Sequence, residues 1–197
     1  MHYTYGIYLY PDVASLDFVG PYEVFDISKY LLKTGRVVTI AETMEPIICS
    51  NGMEIKPQYT FDTAPALDVL LVPGANNLAA ALASDKAIDW VQRVAQKATF
   101  TTAVCTGSLI LQKAGLLTDK KATTHWMLTE ELAKDSRVSV MPEMRYVRDG
   151  NIVTSQGVSA GIDMALWLVG ELHSPDHARL VRKTLQYDPA PPYMAEV

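Results

Sequence analysis

The sequence lacks the features that mark disulfide-rich, zinc-binding and membrane-spanning proteins. It has only two cysteines among 197 residues, and two cysteines do not build a disulfide scaffold in a domain of this length. Neither cysteine belongs to a CxxC motif or to a cysteine–histidine cluster with zinc spacing. No run of eighteen apolar residues is present, so no segment is predicted to cross a membrane.

Basic residues are also scarce. Lysine and arginine number 17 against 22 aspartates and glutamates, which gives a formal net charge of −5. The basic residues form only short pairs such as Lys120 and Lys121, so binding to nucleic acid or to an anionic membrane is not expected. The first twelve residues, MHYTYGIYLYPD, lack the basic and apolar regions of a signal peptide, and a cytoplasmic location is therefore expected.

Motifs that bind nucleotides or metals are missing as well. Neither GxGxxG nor GxxxxGKS/T occurs, so the sequence predicts no dinucleotide or nucleotide phosphate site. His173 and His177 have i, i+4 spacing, but without a third ligand they indicate a metal site only weakly. We expect the protein to act without a metal or an organic cofactor.

What the sequence does contain is an alternation of apolar strands and helical segments. Hydrophobic residues make up 49% of the chain and charged residues 20%, which is typical of a packed globular protein. Short apolar runs that predict strands lie at residues 3–9, 36–41, 69–72 and 99–104. Because helical segments separate them, the pattern predicts one α/β domain over residues 1–197, with a doubly wound, mainly parallel sheet and helices on both faces.

Two turn signals refine this prediction. Gly20 and Pro21 are expected to open the first helix, since proline is harmless at a first-turn position. Asn51 and Gly52 stand between short apolar runs, and this pair predicts a small β-hairpin arm beside the main sheet.

The segment around Cys105 carries most of the chemical information. A predicted strand leads directly into Cys105, and Gly107 allows a sharp turn into the following helix, which is the geometry of a nucleophile elbow. The helix N-terminus would lower the pKa of the thiol and could receive developing negative charge. The alternative is that Cys105 is a small buried hydrophobe, the role we expect for Cys49 in the hairpin arm.

Other strand-end loops supply possible partners for the cysteine, and three of these residues could instead have a purely structural role. Asp17 either caps the first helix or is a carboxyl whose raised pKa lets it move a proton. Gly74, after the 69–72 strand, could offer a backbone N–H to an anion. Thr106 could hydrogen-bond in the pocket or serve the helix N-terminus, and His125 could reach the pocket or be a satisfied structural group.

Several segments together resemble the PfpI/ThiJ superfamily, and within it most closely the isonitrile hydratases. These segments are LDFVGPYEVF, LLVPGA, VCTGSLILQKAGLL, KKATTHW, VRDGNIVTSQGVSAGIDMAL and QYDPAPPY. The resemblance covers nearly the whole chain. It implies a flavodoxin-like, class I glutamine amidotransferase-like fold and a homodimer.

The resemblance also implies roles for individual residues. Cys105 is implied to be the nucleophile, Asp17 the acid/base carboxyl and Thr106 a pocket residue needed for activity. Peptidase relatives carry histidine directly after the cysteine, where this chain has Thr106, so peptidase activity is disfavoured. His125 falls where many relatives hold a histidine near the pocket.

The chain departs from the hydratase pattern at two places. Ala75 and Asn76 follow Gly74 where the pattern has a second glycine, and Gln156 lies in a stretch that is otherwise glycine-rich in the family. Both segments are expected to face the pocket, so the substrate is left open even if the mechanism is shared.

The resemblance therefore implies hydration of an isonitrile to an N-substituted formamide, through a thioimidate on Cys105 with Asp17 as the proton carrier. Two alternatives remain open. One is another cysteine-dependent enzyme on the same fold, such as a glyoxalase-like enzyme or an amide hydrolase. The other is a redox-sensing or protective protein in which Cys105 is oxidised. A regulator's sensor domain is not expected, because no helix-turn-helix follows in this sequence.

Overall fold

The structure, a computed structural model, describes residues 2–188, so most of the QYDPAPPY segment lies outside the described residues. The strands are β1 (Thr4–Tyr8), β2 (Arg36–Ala41), β3 (Ile47–Ile48), β4 (Glu54–Ile55), β5 (Tyr59–Thr60), β6 (Val69–Val72), β7 (Phe100–Val104), β8 (Lys121–Ala122), β9 (Ser139–Val140), β10 (Tyr146–Asp149) and β11 (Ile152–Ser155). The helices are α1 (Ser15–Leu32), α2 (Ala79–Ala83), α3 (Asp85–Ala95), α4 (Gly107–Lys113), α5 (Thr129–Leu132), α6 (Ala160–Leu172) and α7 (Pro175–Thr184), with a short 3-10 helix at Trp126–Leu128.

A seven-stranded sheet forms the centre of the molecule, in the order β10-β11-β7-β6-β1-β2-β5. All neighbouring strands pair in parallel except β10 and β11, which are antiparallel. Helices α1, α6 and α7 pack together as one group, and α2, α3 and α4 as another. The predicted doubly wound, mainly parallel α/β fold is confirmed.

The central strands read as continuous apolar runs because both of their faces are covered. Every residue of β1, β6 and β7 is buried, which is expected for parallel strands that lie between two layers of helices. Because both faces are buried, these strands stand out in the sequence as continuous apolar runs between helical segments.

The first helix begins earlier than predicted. It starts at Ser15, and Pro21 lies inside it, so the prediction that Gly20 and Pro21 open the helix was wrong. These two residues instead mark a close contact with α6. A Cβ on Gly20 would lie 2.8 Å from Cγ1 of Ile162, and the Pro21 ring lies against Gly161. As a result, Asp17 lies in the first turn of α1 rather than before it.

The hairpin arm is present as a separate antiparallel pair of β3 and β4, and Gly52 at its turn has a φ of +84°. Strand β5 at the sheet edge and strand β8 were not predicted. Two-residue strands contain too few positions to show a period, so the sequence pattern could not indicate them. Within residues 2–188, no helix has the length and apolar character needed to cross a membrane.

Candidate active site

Three strand ends meet at one edge of the sheet. Strand β6 pairs in parallel with both β1 and β7, so their carboxyl ends lie side by side, where α/β sheets bind ligands. The loop after β1 leads to Asp17, the loop after β6 contains Gly74, and β7 runs directly into Cys105. The first two loops are joined by a bridge between Val13 and Ala75.

Cys105 occupies the tight turn between β7 and α4, with a left-handed φ of +57° that is unusual for a residue other than glycine. Its N–H donates to the carbonyls of Ser155 and Gln156, each at 3.2 Å. Its carbonyl accepts the hydroxyls of Thr124 at 3.0 Å and Ser108 at 3.1 Å. Hydrogen bonds from several elements thus hold a strained backbone in place, as is common at functional sites.

Gly107 permits this turn because the chain passes very close to β6. A Cβ on Gly107 would lie 2.2 Å from the carbonyl oxygen of Val72, which no side chain could accommodate. The glycine that the sequence analysis placed in the elbow is therefore required by the approach of the neighbouring strand.

Asp17 is completely buried. Its Oδ2 accepts the N–H of Gly74 at 3.0 Å, whereas Oδ1 is buried without a well-formed hydrogen bond within residues 2–188. Burial raises the pKa of Asp17 to about 6, opposed first by the Gly74 N–H and then by the Cys105 thiol and the Val158 N–H. The carboxyl can therefore gain and lose a proton near neutral pH.

The thiol of Cys105 differs from expectation. Burial raises the pKa of Cys105, and the negative charge of Asp17 raises it further, while the N–H groups of Thr106 and Val158 only partly oppose the change. The predicted lowering of the thiol pKa by the helix N-terminus was therefore wrong, because burial and a neighbouring carboxylate outweigh it. A buried carboxylate disfavours a neighbouring thiolate, so the charge of Asp17 favours the protonated thiol of Cys105.

Thr106 joins two of the strand-end loops. Its hydroxyl donates to the carbonyl of Ala75 at 3.0 Å and accepts the Ala75 N–H at 2.9 Å. A Cβ on Gly74 would lie 2.6 Å from Thr106 Oγ1 and 2.8 Å from Asp17 Oδ2, so glycine is what allows these groups to converge. The Thr106 hydroxyl thus holds the 74–75 loop in position.

A cavity of about 240 Å³ opens above the Cys105 turn. Its lining residues are Ala14, Ala75, Asn76, Cys105, Thr106, His125, Met127, Leu128 and Val158. Most of this surface is apolar, which suits a small organic molecule. The predicted pocket residues Ala75, Asn76 and His125 all line it. Gly74 does not line it, because its N–H is directed to the buried Asp17 carboxyl instead of the cavity.

His125 has both of the roles that the sequence left open. Its Nδ1 accepts the N–H of Met127 at 3.3 Å, at the start of the short 3-10 helix. An accepting Nδ1 leaves Nε2 as the N–H donor of the ring. The ring lies against Gly157, where a Cβ would be 2.2 Å from His125 Cδ2, so this glycine makes room for the histidine beside the cavity.

Gln156 does not line the cavity, and the prediction that it faces the pocket was wrong. Its Nε2 donates to the carbonyl of Pro142 at 2.7 Å, outside the cavity. Successive side chains of an extended segment point in opposite directions, and the preceding Ser155 turns inward toward Ala103. Only the backbone carbonyl of Gln156 reaches Cys105.

The cavity wall also contains four residues that were not predicted from the sequence: Ala14, Met127, Leu128 and Val158. Apolar residues in loops carry no chemical signal, and a left-handed φ of +55° at Val158 could not be anticipated for a β-branched residue. Sequence reasoning also missed Tyr10, whose hydroxyl donates to the carbonyl of Pro73 at 2.7 Å, next to Gly74.

The two spaced histidines serve other contacts. His173 Nε2 lies 3.2 Å from the Tyr5 hydroxyl, and His177 Nε2 lies 2.9 Å from the Ser28 hydroxyl. Within the part of the chain that the structure describes, no group of three or more His, Cys, Asp or Glu residues could hold a metal ion.

Comparison with known proteins finds close relatives. The DJ-1/PfpI family model matches residues 6–171. The chain is 40% identical to isonitrile hydratase of Pseudomonas putida over 188 residues, which is 95% of this chain and 80% of that protein. It is 29% identical to the HTH-type transcriptional regulator GbdR of Pseudomonas aeruginosa, with 71% of this chain and 38% of the regulator covered.

Solved structures agree. A ThiJ/PfpI family protein from Pseudomonas syringae superposes with a TM-score of 0.89 at 34% identity, covering 98% of this chain and 78% of that one. Drosophila melanogaster DJ-1beta has the same fold, with a TM-score of 0.85 at 21% identity over 95% of this chain and 100% of that one. The resemblance read from the sequence motifs is confirmed, and the chain belongs to the DJ-1/PfpI family.

Proposed function

We propose that this protein is a cysteine-dependent hydratase that converts an isonitrile, R–N≡C, into an N-substituted formamide. The observation that carries the proposal is geometric: the buried Asp17 carboxyl, held by the Gly74 N–H, lies beside Cys105 on its strained turn next to an apolar cavity. The 40% identity to an isonitrile hydratase supports the same activity.

The first half-reaction needs one nucleophile and one proton, which is what the pair holds. Asp17 takes the thiol proton, the sulfur of Cys105 bonds to the terminal carbon of the isonitrile, and Asp17 returns the proton to that carbon. The product is a neutral thioimidate, R–N=CH–S–Cys105, with Asp17 left as a carboxylate. Because the thiolate exists only while Asp17 carries the proton, the two buried groups never need to be charged together.

The second half-reaction uses the same carboxyl. Asp17 takes a proton from water as the oxygen attacks the thioimidate carbon, and it passes this proton to the nitrogen to give R–NH–CH(OH)–S–Cys105. Asp17 then takes the hydroxyl proton as the carbon–sulfur bond breaks and returns it to the departing sulfur, which releases R–NH–CHO and restores the Cys105 thiol. The sum is addition of one water to one isonitrile, with no metal, redox partner or organic cofactor in the balance.

Neighbouring groups support these steps. The N–H groups of Thr106 and Val158 act on the Cys105 sulfur and stabilise negative charge there. His125 adds a polar ring to the cavity wall. Met127, Leu128 and Val158 form an apolar wall, which favours isonitriles with a small hydrocarbon substituent.

The test is turnover of an alkyl isonitrile, followed by loss of its infrared stretch and by chromatography of the formamide. We expect wild type to form formamide and Cys105→Ala to lose activity by about 1,000-fold or more. Cys49→Ala is the matched control, since it removes the other buried thiol and should keep activity.

Formamide production that survives in Cys105→Ala would contradict the covalent scheme. If intact wild type turns over no isonitrile, the proposal fails, and a panel of 2-oxoaldehydes and amides would test the other cysteine chemistries. Oxidation of Cys105 without any turnover, detected by mass spectrometry, would favour a redox-sensing role.

We also propose that the protein is a homodimer, as the family resemblance implies. Sedimentation equilibrium at micromolar concentration should give twice the 21.7 kDa mass of the chain. A monomer under the same conditions would contradict the proposal without affecting the chemistry at Cys105.

A further inference from the structure

A second cavity, of about 290 Å³, lies at the carboxyl ends of β1 and β2. Its lining residues are Tyr8, Leu9, Tyr10, Pro11, Glu42, Thr43, Glu45, Pro46, Ile47, Ala80, Ala81 and Ser84. None of them lines the cavity at Cys105. The second cavity is therefore a separate site at the ligand-binding edge of the sheet.

The interior of this cavity is apolar and aromatic. Tyr8, Leu9, Tyr10 and Ile47 are all buried, and the rings of Tyr8 and Tyr10 lie 5.0 Å apart between centroids. Ala81 of α2 adds a small apolar residue to the lining. Such walls suit a hydrocarbon or aromatic group of modest size.

Tyr8 supplies an unused polar group to this cavity. Its side chain is only 2% exposed, yet its hydroxyl makes no hydrogen bond to any residue within 2–188. Tyr10, two residues later, differs because its hydroxyl is occupied by the carbonyl of Pro73. The Tyr8 oxygen is not among the fully buried unpaired atoms of residues 2–188, so it is accessible at the cavity that Tyr8 lines and is free to bond a ligand atom.

The charge at the rim has one sign. Glu42 and Glu45 line the opening, and no lysine or arginine is among the described lining residues. The Ser84 hydroxyl donates to Glu42 Oε2 at 3.1 Å and so holds that carboxylate at the rim. Glu42 also raises the pKa of Tyr8, second to burial, which places its charge near the hydroxyl.

We propose that this second cavity binds a small organic ammonium ion with an aromatic or alkyl body. The ammonium group would donate to the Glu42 carboxylate and to the Tyr8 hydroxyl, while the body packs against the apolar walls. Carboxylates and aromatic rings together form the usual environment of bound organic cations.

The test is binding of 2-phenylethylammonium to the full chain, measured by isothermal titration calorimetry near neutral pH. We expect saturable binding with a Kd of about 1 mM or below. The neutral analogue 2-phenylethanol should bind about tenfold more weakly, because it cannot pair with a carboxylate. Glu42→Gln should also weaken ammonium binding about tenfold, and Tyr8→Phe by about threefold.

Two further variants control for location and folding. Ala81→Met places a larger side chain in the cavity and should abolish binding. Glu130→Gln neutralises an exposed carboxylate of α5, far along the chain from the cavity lining, and should leave the Kd unchanged.

No saturable binding of the ammonium ion to wild type would overturn the proposal. Equal binding of the alcohol and the ammonium ion would also overturn it, since the cavity would then select only apolar groups. Binding that is unchanged in Glu42→Gln would place the ligand elsewhere. Glu42 is exposed, so its substitution is expected to leave the fold intact and the test valid.

Discussion

The two cysteines of this protein share their burial but not their surroundings. Cys105 is 7% exposed and Cys49 is 2% exposed; both are free thiols, and burial raises the pKa of each. Only Cys105 has a left-handed backbone, a helix behind it and a carboxyl beside it. Cys49 is held in the hairpin arm by backbone hydrogen bonds to Met53 and Gly52.

This contrast shows that burial alone does not distinguish a reactive cysteine from a structural one. A raised thiol pKa makes both cysteines poor spontaneous nucleophiles at neutral pH. Cys105 differs because Asp17, whose own pKa is about 6, can accept the thiol proton at the moment of reaction. The partner, rather than a low resting pKa, is what distinguishes the candidate nucleophile from the structural cysteine.

The largest expected effect comes from removing that partner. Asp17→Asn should lower isonitrile hydration by about 1,000-fold, because no group remains to carry the proton. The same change should speed alkylation of Cys105 by iodoacetamide about tenfold at pH 7.5, since the Asp17 charge that raises the thiol pKa is gone. Cys49 alkylation, followed by mass spectrometry in the same sample, should not change. Slower alkylation of Cys105 in Asp17→Asn would mean that the carboxylate activates the resting thiol.

A smaller loss is expected from releasing the loop that Thr106 holds. Thr106→Val removes both hydrogen bonds to Ala75 and should lower kcat/KM about 100-fold by letting the Gly74 contact to Asp17 shift. Thr106→Ser keeps the hydroxyl and should restore most of the activity. If Thr106→Val behaves like wild type in steady-state kinetics, the two hydrogen bonds between Thr106 and Ala75 have no part in catalysis.

The buried Asp17 carboxyl should also lower the free energy of unfolding, whereas the buried Cys49 thiol should not. For Asp17, the favourable neutral form is fully present below its unfolded pKa of 3.8 and is lost as pH rises through about 6. The rise in the Asp17 pKa from 3.8 to about 6 corresponds to about 3 kcal/mol of stability lost at pH 8. Asp17→Asn should therefore raise the free energy of unfolding at pH 8 and have little effect at pH 4, as measured by urea denaturation at both values. An equal effect at both pH values would argue against a raised pKa.

The smallest effect is expected at Tyr10, which supports the active site from behind. Tyr10→Phe leaves the Pro73 carbonyl without its buried donor, at a cost of about 1–2 kcal/mol in the free energy of unfolding. Because Pro73 precedes Gly74, we expect a few-fold loss of kcat as well. Tyr8→Phe is the matched control, since its hydroxyl holds no protein group within residues 2–188, and it should leave both quantities nearly unchanged.

Sequence reasoning predicted the parts of the site that depend on neighbouring residues. The run from β7 through Cys105 into α4 is local, and its apolar strand and Gly107 indicated the turn correctly. The start of α1 was predicted wrongly because Pro21 usually marks a first turn, whereas here its ring packs against Gly161. No local pattern distinguishes these two uses of proline.

The sequence by itself determined the α/β fold, the hairpin arm and the strand-to-helix turn at Cys105, because strand runs and turn residues act over a few neighbouring positions. Only the tertiary structure decided the proton balance of the site. Parallel pairing of β1, β6 and β7 brings together Asp17, Gly74 and Cys105. Burial and charge at that meeting point set both pKa values, and the same packing turns the Gln156 side chain away from the cavity. These effects depend on residues far apart in the chain, so no local pattern contains them.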